Sequence, residues 1–157
     1  MKKNPMEVLP TEGLEAALEE TRPEKLDCFF NAHEGALLEG ERPFADYMRG
    51  LLKDKGLLQQ EVFLAADIPE PYGYRLISQE RHTRQRDVIL RLCYGAGFSL
   101  KETQRALRLA GQEELYPRIR RDATLILALN ERMKVDQVNE LLISYGFEPL
   151  KQIGKSE

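Results

Sequence analysis

The sequence predicts an all-α protein, and three observations carry that reading. Apolar residues recur at helical spacing along most of the chain. No stretch alternates β-branched with polar residues, and no Asn-Gly or Asp-Gly pair marks a hairpin. Helix punctuation is dense, with prolines where a first turn tolerates them and glycines just past the ends. The 157 residues are 42% apolar and 31% charged, the balance of an ordinary folded domain. A chain of this length buries about 70% of the surface it exposes unfolded, enough for a core without covalent staples. No apolar run approaches the roughly 18 residues of a membrane span. The opening "MKKNPMEVLPTEGLE" has no apolar stretch after its lysines, so no secretory leader is expected and a cytoplasmic location is.

Residues 1–41 read as an acidic helical segment. "TEGLEAALEE" is one short helix. "TRPEKLDCFFNAHEGALLEG" opens a second, with Thr21 and Glu24 as a capping box and Pro23 in the first turn. Leu26, Phe29 and Phe30 follow at helical spacing. In "PFADYMRGLLKDKG", Phe44, Tyr47, Met48, Leu51 and Leu52 make one continuous stripe, between Pro43 at the start and Gly56 past the end. "LLQQEVFLAAD" and "PEPYGYRLISQ" read as two short helices. "RQRDVILRLCYGAGF" is a fourth, with Val88, Ile89, Leu92, Cys93 and Ala96 on one face and Gly97 as its stop. "SLKETQRALRLAG" is a fifth, opened by a Ser99–Glu102 capping box and ended by Gly111.

The last third repeats the end of this unit. Residues 86–111 align without gaps on 121–146, pairing Arg86 with Arg121, Asp87 with Asp122, Leu90 with Leu125, Leu92 with Leu127, Leu107 with Leu142 and Gly111 with Gly146. A second helix pair stacked on the first is therefore expected. Its stripe is Val135, Val138, Leu141, Leu142 and Tyr145. The tail after Leu150 is expected to fray.

Charge and chemistry-bearing residues narrow the function classes. Residues 1–43 carry 5 basic and 10 acidic side chains, residues 44–111 carry 11 and 8, and residues 112–157 carry 7 and 8. An acidic start thus precedes a mildly basic middle, less basic than a dedicated nucleic-acid binder usually is. Cys28 and Cys93 sit in apolar contexts and read as reduced core thiols. His33 and His82 have no partner at ligand spacing, so no metal site is expected. No nucleophile–base set or Gly-rich phosphate loop after a strand is present, so neither an enzyme nor a cofactor is expected.

The middle of the chain resembles a known family. "LLKDKGLLQQEVFLAADIPEPYGYRLISQERHTRQRDVILRLCYGAGFSLKET" is similar to the lambda-repressor-like, or XRE-family, helix-turn-helix. Gly56-Leu57 and Gln59 match the start of its helix pair, Ile68 the apolar turn residue, and Arg81 the basic position after the reading helix. Tyr72-Gly73-Tyr74 and "LYPRIRRDA" at 115–123 resemble a gut-bacterial subgroup more closely. The resemblance covers roughly residues 41–150. It implies a five-helix core over 42–112; the repeat adds a C-terminal helical hairpin over 113–150, and a flexible tail is expected over 151–157. The departures are Phe63 for a small alanine, Asp67 for the turn glycine, Pro69 for a serine cap, Ile77-Ser78-Gln79 for the turn after the reading helix, and Glu70 for a basic residue.

The function so implied is sequence-specific binding of double-stranded DNA by a bacterial transcriptional regulator, acting as a homodimer. Helices 2 and 3, about 58–79, would lie at the major groove. Gln59 and Gln60 then meet the DNA backbone; Glu70, Pro71, Tyr74 and Arg75 enter the groove; Ser78, Arg81, His82 and Arg84 hold the far phosphates. Arg86 and Arg91 extend the same basic cluster, although Arg86 can instead pair with Asp87 or another acid. Arg120 or Arg121 is expected to pair with nearby Asp122. The other reading is a non-catalytic protein-interaction module on the same scaffold, with a partner at 1–41 or 113–150.

Overall fold

The computed structural model describes residues 11–33 and 42–153, and every regular element among them is helical. None of these helices is long and apolar enough to cross a membrane. The chain divides into two compact units, Met1–Glu41 and Arg42–Glu157.

In the first unit, α1 spans Thr11–Glu19, a single 3-10 turn follows at Pro23–Lys25, and α2 spans Leu26–Ala32. The expected Thr21 capping box does not form. The Thr21 hydroxyl donates back to the Ala17 carbonyl at 2.7 Å, a one-turn return that threonine makes readily. Arg22, extended at φ −91°, takes the cap position before Pro23 instead. Phe29 is buried, stacked near the rings of Phe30 and His33 at 6.1 and 4.7 Å. Cys28 is exposed, not the core thiol its apolar neighbours suggest: three residues of the same short helix cannot all face inward. The rest of the second expected helix, 34–40, lies outside the described residues.

The second unit runs α3 (Pro43–Asp54), α4 (Gln59–Ala66), α5 (Glu70–Ile77), α6 (Arg86–Ala96), α7 (Leu100–Leu109), α8 (Arg120–Asn130) and α9 (Val135–Ser144). The α6 helix is its axis, buried from Asp87 through Tyr94 without a break. It packs against α4, α7 and α9, while α3 covers α5 and α7. A continuous apolar cluster runs from Phe44 to Leu150 through all these helices. The Ser99–Glu102 capping box forms, with both reciprocal bonds at 2.9 and 3.2 Å. Lys55 adds an ion pair to Glu102 at 3.1 Å. Burial alone pushes the Glu102 carboxyl up, but the Ser99 amide and Lys55 outweigh it and hold the carboxyl below its ordinary range.

The two repeats face each other rather than stacking by translation. Arg86 donates to Asp122 at 2.6 and 3.1 Å, and Arg121 donates to Asp87 at 3.0 and 3.2 Å. The α6 helix packs on α9 and α7 on α8. Reciprocal contacts of this kind are the mark of an approximate two-fold relation between equivalent pieces. Each repeat turns through the same left-handed residue, Gly97 at φ 69° and Arg132 at φ 56°. The Arg132 guanidinium also donates to the Gly97 carbonyl at 2.7 Å. Arg86 and Arg121 therefore find their acids across the repeat, not beside them in sequence.

The tail does not fray at Leu150. Arg91, expected in a surface cluster, is buried and donates to the carbonyls of Ala66, Leu150 and Lys151 at 3.1, 2.8 and 2.8 Å. The Lys151 amide donates to Asp87 at 3.0 Å and the Leu150 amide to Asn139 at 2.8 Å. A buried guanidinium with five donors requires acceptors, and the tail supplies two of them. The tail is thus held through Ile153, which packs on the core; residues 154–157 lie outside the described residues.

Candidate nucleic-acid interface

The α4–turn–α5 segment is set by three buried anchors. Ile68 in the turn, and Leu76 and Ile77 on α5, fill the core. Asp67 closes α4 in the left-handed conformation, φ 55° and ψ 50°. Aspartate tolerates that geometry better than most side chains, so it can stand where glycine is usual. Its carboxylate also accepts from Gln152 at 3.2 Å. Phe63 lies between the two helices, and Gly73 makes room for it. A β-carbon at Gly73 would lie 2.5 Å from Phe63 Cδ1.

With that inner face fixed, the period of 3.6 turns Glu70, Pro71, Tyr74 and Arg75 outward together, and all four are exposed. Tyr74 lies edge-on to Phe63, centroids 4.9 Å apart, and its hydroxyl donates to Glu70 Oε1 at 3.1 Å. Lost solvation, then the adjacent Glu70 carboxylate, raises the Tyr74 phenol above its ordinary value. The tip of α5 is thus an oriented carboxylate and a phenol. Pro69 precedes the helix and no side chain caps its first amides.

The other end of α5 has the opposite charge. The Ser78 hydroxyl donates to the Arg75 carbonyl at 3.1 Å, the Arg81 amide donates to the same carbonyl at 3.1 Å, and Arg42 donates to the Ser78 carbonyl at 3.0 Å. Gln79, at φ 62°, directs its Oε1 to the Ala45 amide at 2.9 Å and so caps α3. The loop is thereby tied to two helices. Arg81 lies over the Tyr72 ring at 5.3 Å, a cation–π arrangement that holds the guanidinium in place. Its Nε is buried without an acceptor among the described residues. His82 and Arg84 are exposed beside it.

Arg75, Ser78 and Arg81 are therefore linked, with His82 and Arg84 next along the loop. Gln60 is exposed and Gln59 half-buried at the start of α4. Arg86 and Arg91 leave the surface cluster for the reasons already given. Arg42 belongs to this end of α5, although sequence reading passes over it. It lies 36 residues from Ser78, and only the packing of α3 on α5 brings them together.

Two further features mark the α4 surface. Leu58 is 65% exposed and Leu64 is 84% exposed. Leu64 borders an open groove of about 540 Å³, shared with Ala65, Tyr94, Met133 and Val135. Among the described residues, no group of three or more His, Cys, Asp or Glu side chains converges as a metal site. Comparison of the chain with family models, curated proteins and solved structures returns no match.

Proposed function

We propose that the chain is a sequence-specific DNA-binding regulator that presents α4 and α5 to the major groove as a dimer. The carrying observation is the basic rim at the C-terminal end of α5, where the Arg42 guanidinium is held by the Ser78 carbonyl, the Arg81 guanidinium by the Tyr72 ring, and the backbone of Arg81 by the Arg75 carbonyl. Positioned arginines suit phosphates because the guanidinium fork meets two oxygens at once. Gln60 at the other edge supplies a neutral donor to the opposite backbone. Between them, Glu70 and Tyr74 face the base edges, where a carboxylate can accept from a cytosine amino group.

The acidic tip sets a limit on affinity rather than forbidding binding. The α5 amide end favours the Glu70 carboxylate by about 0.3–1 kcal/mol, and phosphates compete for that same end. Two protomers on adjacent half-sites supply what one short reading helix lacks. Fluorescence anisotropy with mixed-sequence duplexes, over 50–200 mM salt, tests the reading. About four arginine–phosphate contacts per protomer, so about eight for the dimer, give a log–log salt slope of about −7. No binding at the lowest salt would overturn the proposal.

A second reading, a non-catalytic protein-interaction module, is favoured by Leu64, which stands 84% exposed on α4 at the edge of the open groove. A single large apolar residue on a surface is ordinary, but one that edges a groove with further apolar lining fits a protein partner. A flat duplex titration at low salt selects this reading.

A further inference from the structure

We propose that a small-molecule site lies beneath the C-terminal end of α5, and that its ligand is a compact amphipathic carboxylate. A cavity of about 210 Å³ opens there between α3, α5, α6 and α7. Phe44, Leu76, Ile89 and Leu109 form its apolar wall, and Gln79, Arg81 and His82 stand at its polar side. No acidic side chain lines it.

Three properties fix the ligand class. The first is size: an apolar cavity of about 150 Å³ holds a benzene ring, so this one holds a ring with one small substituent, or a chain of similar bulk. The second is the apolar wall, contributed by side chains of four helices; three of these side chains, Phe44, Leu76 and Ile89, belong to the buried core. The third is an unmet donor. Arg81 lines the cavity, and its Nε–H is buried with no acceptor among the described residues. A buried donor left unpaired is costly, and buried polar groups nearly always have partners. A carboxylate is the acceptor that a guanidinium edge fits best. Water is the competing occupant, but it would leave the apolar wall unfilled.

The site rests on its own geometry and not on DNA binding, but it draws on Arg81 and His82, loop residues that the resemblance also sets against phosphates.

Calorimetric titration of the full chain at fixed ionic strength tests the site with three probes of one size: benzoate, benzyl alcohol and benzylamine. Benzoate binds at least ten-fold more tightly than benzyl alcohol, and benzylamine does not bind. Arg81→Gln brings benzoate down to the level of benzyl alcohol. Ala110→Leu, which fills the cavity from just past the end of α7, removes the binding of both. Retention of helical circular dichroism shows that each variant is folded, and Arg81→Gln carries the test if Ala110→Leu does not fold. Methyl resonances of Leu76 and Ile89 shift on titration with benzoate. Absence of benzoate binding at tens of millimolar, equal affinity for benzoate and benzyl alcohol, or an unchanged benzoate affinity in Arg81→Gln would each overturn the proposal.

Discussion

Phe63 and Gly73 occupy one space: the phenyl ring of α4 lies where a β-carbon on α5 would be, 2.5 Å from Cδ1. The two residues are a matched pair. A large side chain on the first helix is possible because the second helix has none at the point of closest approach. The T-shaped contact of Phe63 with Tyr74 follows from the same packing.

The sign of a substitution at Gly73 therefore depends on residue 63. In a helix, Ala is favoured over Gly by about 1 kcal/mol. Overpacking a core opposes this by about 1–3 kcal/mol. In the native chain the clash wins, and Gly73→Ala is expected to lower stability in urea denaturation. In a Phe63→Ala background the clash is gone, and the same change is expected to raise it. A double-mutant cycle measures the coupling. An equal effect of Gly73→Ala in both backgrounds would show that the ring moves aside freely.

The crossed ion pairs give a second expectation. Asp122 is 1% exposed and accepts from both Arg86 Nη atoms and from the Tyr116 amide. Breaking a buried pair from one side costs about 3–5 kcal/mol, because the remaining charge stays buried without its partner. Arg86 retains some exposure, so the lower end applies to Asp122→Leu. Arg86→Met in that background is expected to recover much of the loss, as the stranded charge is then removed. If the double variant is no more stable than Asp122→Leu in urea titration, the pair is a bystander to the repeat interface.

Thiol chemistry separates the two cysteines. Cys93 is fully enclosed, and burial first of all pushes its thiol up from 9.0 to about 12; Cys28 is exposed. A disulfide exchange reagent at pH 8 is expected to titrate Cys28 in the folded chain and Cys93 only on unfolding, since the thiolate is the reactive form. Burial likewise raises the Tyr47 phenol to about 12. Both groups have folded values above their unfolded ones, so their stabilising share is complete below about pH 9. It is lost as pH rises toward 12, because the unfolded state then releases protons that the folded state retains. Urea midpoints are expected to fall over that window, and to fall less steeply in Cys93→Ala.

The helices of the second unit were legible because each carries its own local signal. Pro43 opens α3, Ser99 and Glu102 open α7, and Gly97 and Gly111 close α6 and α7, as the spacing predicts. The all-helical class follows from the same signals, whereas the lambda-repressor-like assignment rests on the resemblance. Thr21, Cys28 and the tail differ from expectation because their surroundings depend on contacts that local sequence does not state. Arg91 looks like a surface arginine, yet its acceptors are Ala66, Leu150 and Lys151, up to 60 residues away. At the candidate interface, the outward set on α5 was readable from helical period. The Arg42 contact, and the placement of Arg81 over Tyr72, required the fold.

Glu70 decides what the tip of α5 does. Its carboxylate is held by the Tyr74 hydroxyl at 3.1 Å, and it stands at the end of the helix that phosphates also favour. If it is only a first-turn acid, its effect on a duplex is uniform repulsion. A unit charge about 8 Å from a phosphate in water costs about 0.5 kcal/mol, or about two-fold in affinity. Glu70→Gln is then expected to tighten every duplex by about that factor at 50 mM salt, and by less at 200 mM as screening increases. If Glu70 accepts from a cytosine amino group, the same variant weakens the preferred duplex while tightening the rest, because a base-edge contact discriminates by about 1–3 kcal/mol. Competition between a selected duplex and a pool of random ones separates the two cases. Tyr74→Phe sharpens the comparison, since it releases the carboxylate without changing its charge. A reader held in place by Tyr74 loses selectivity in that variant, and a bystander does not.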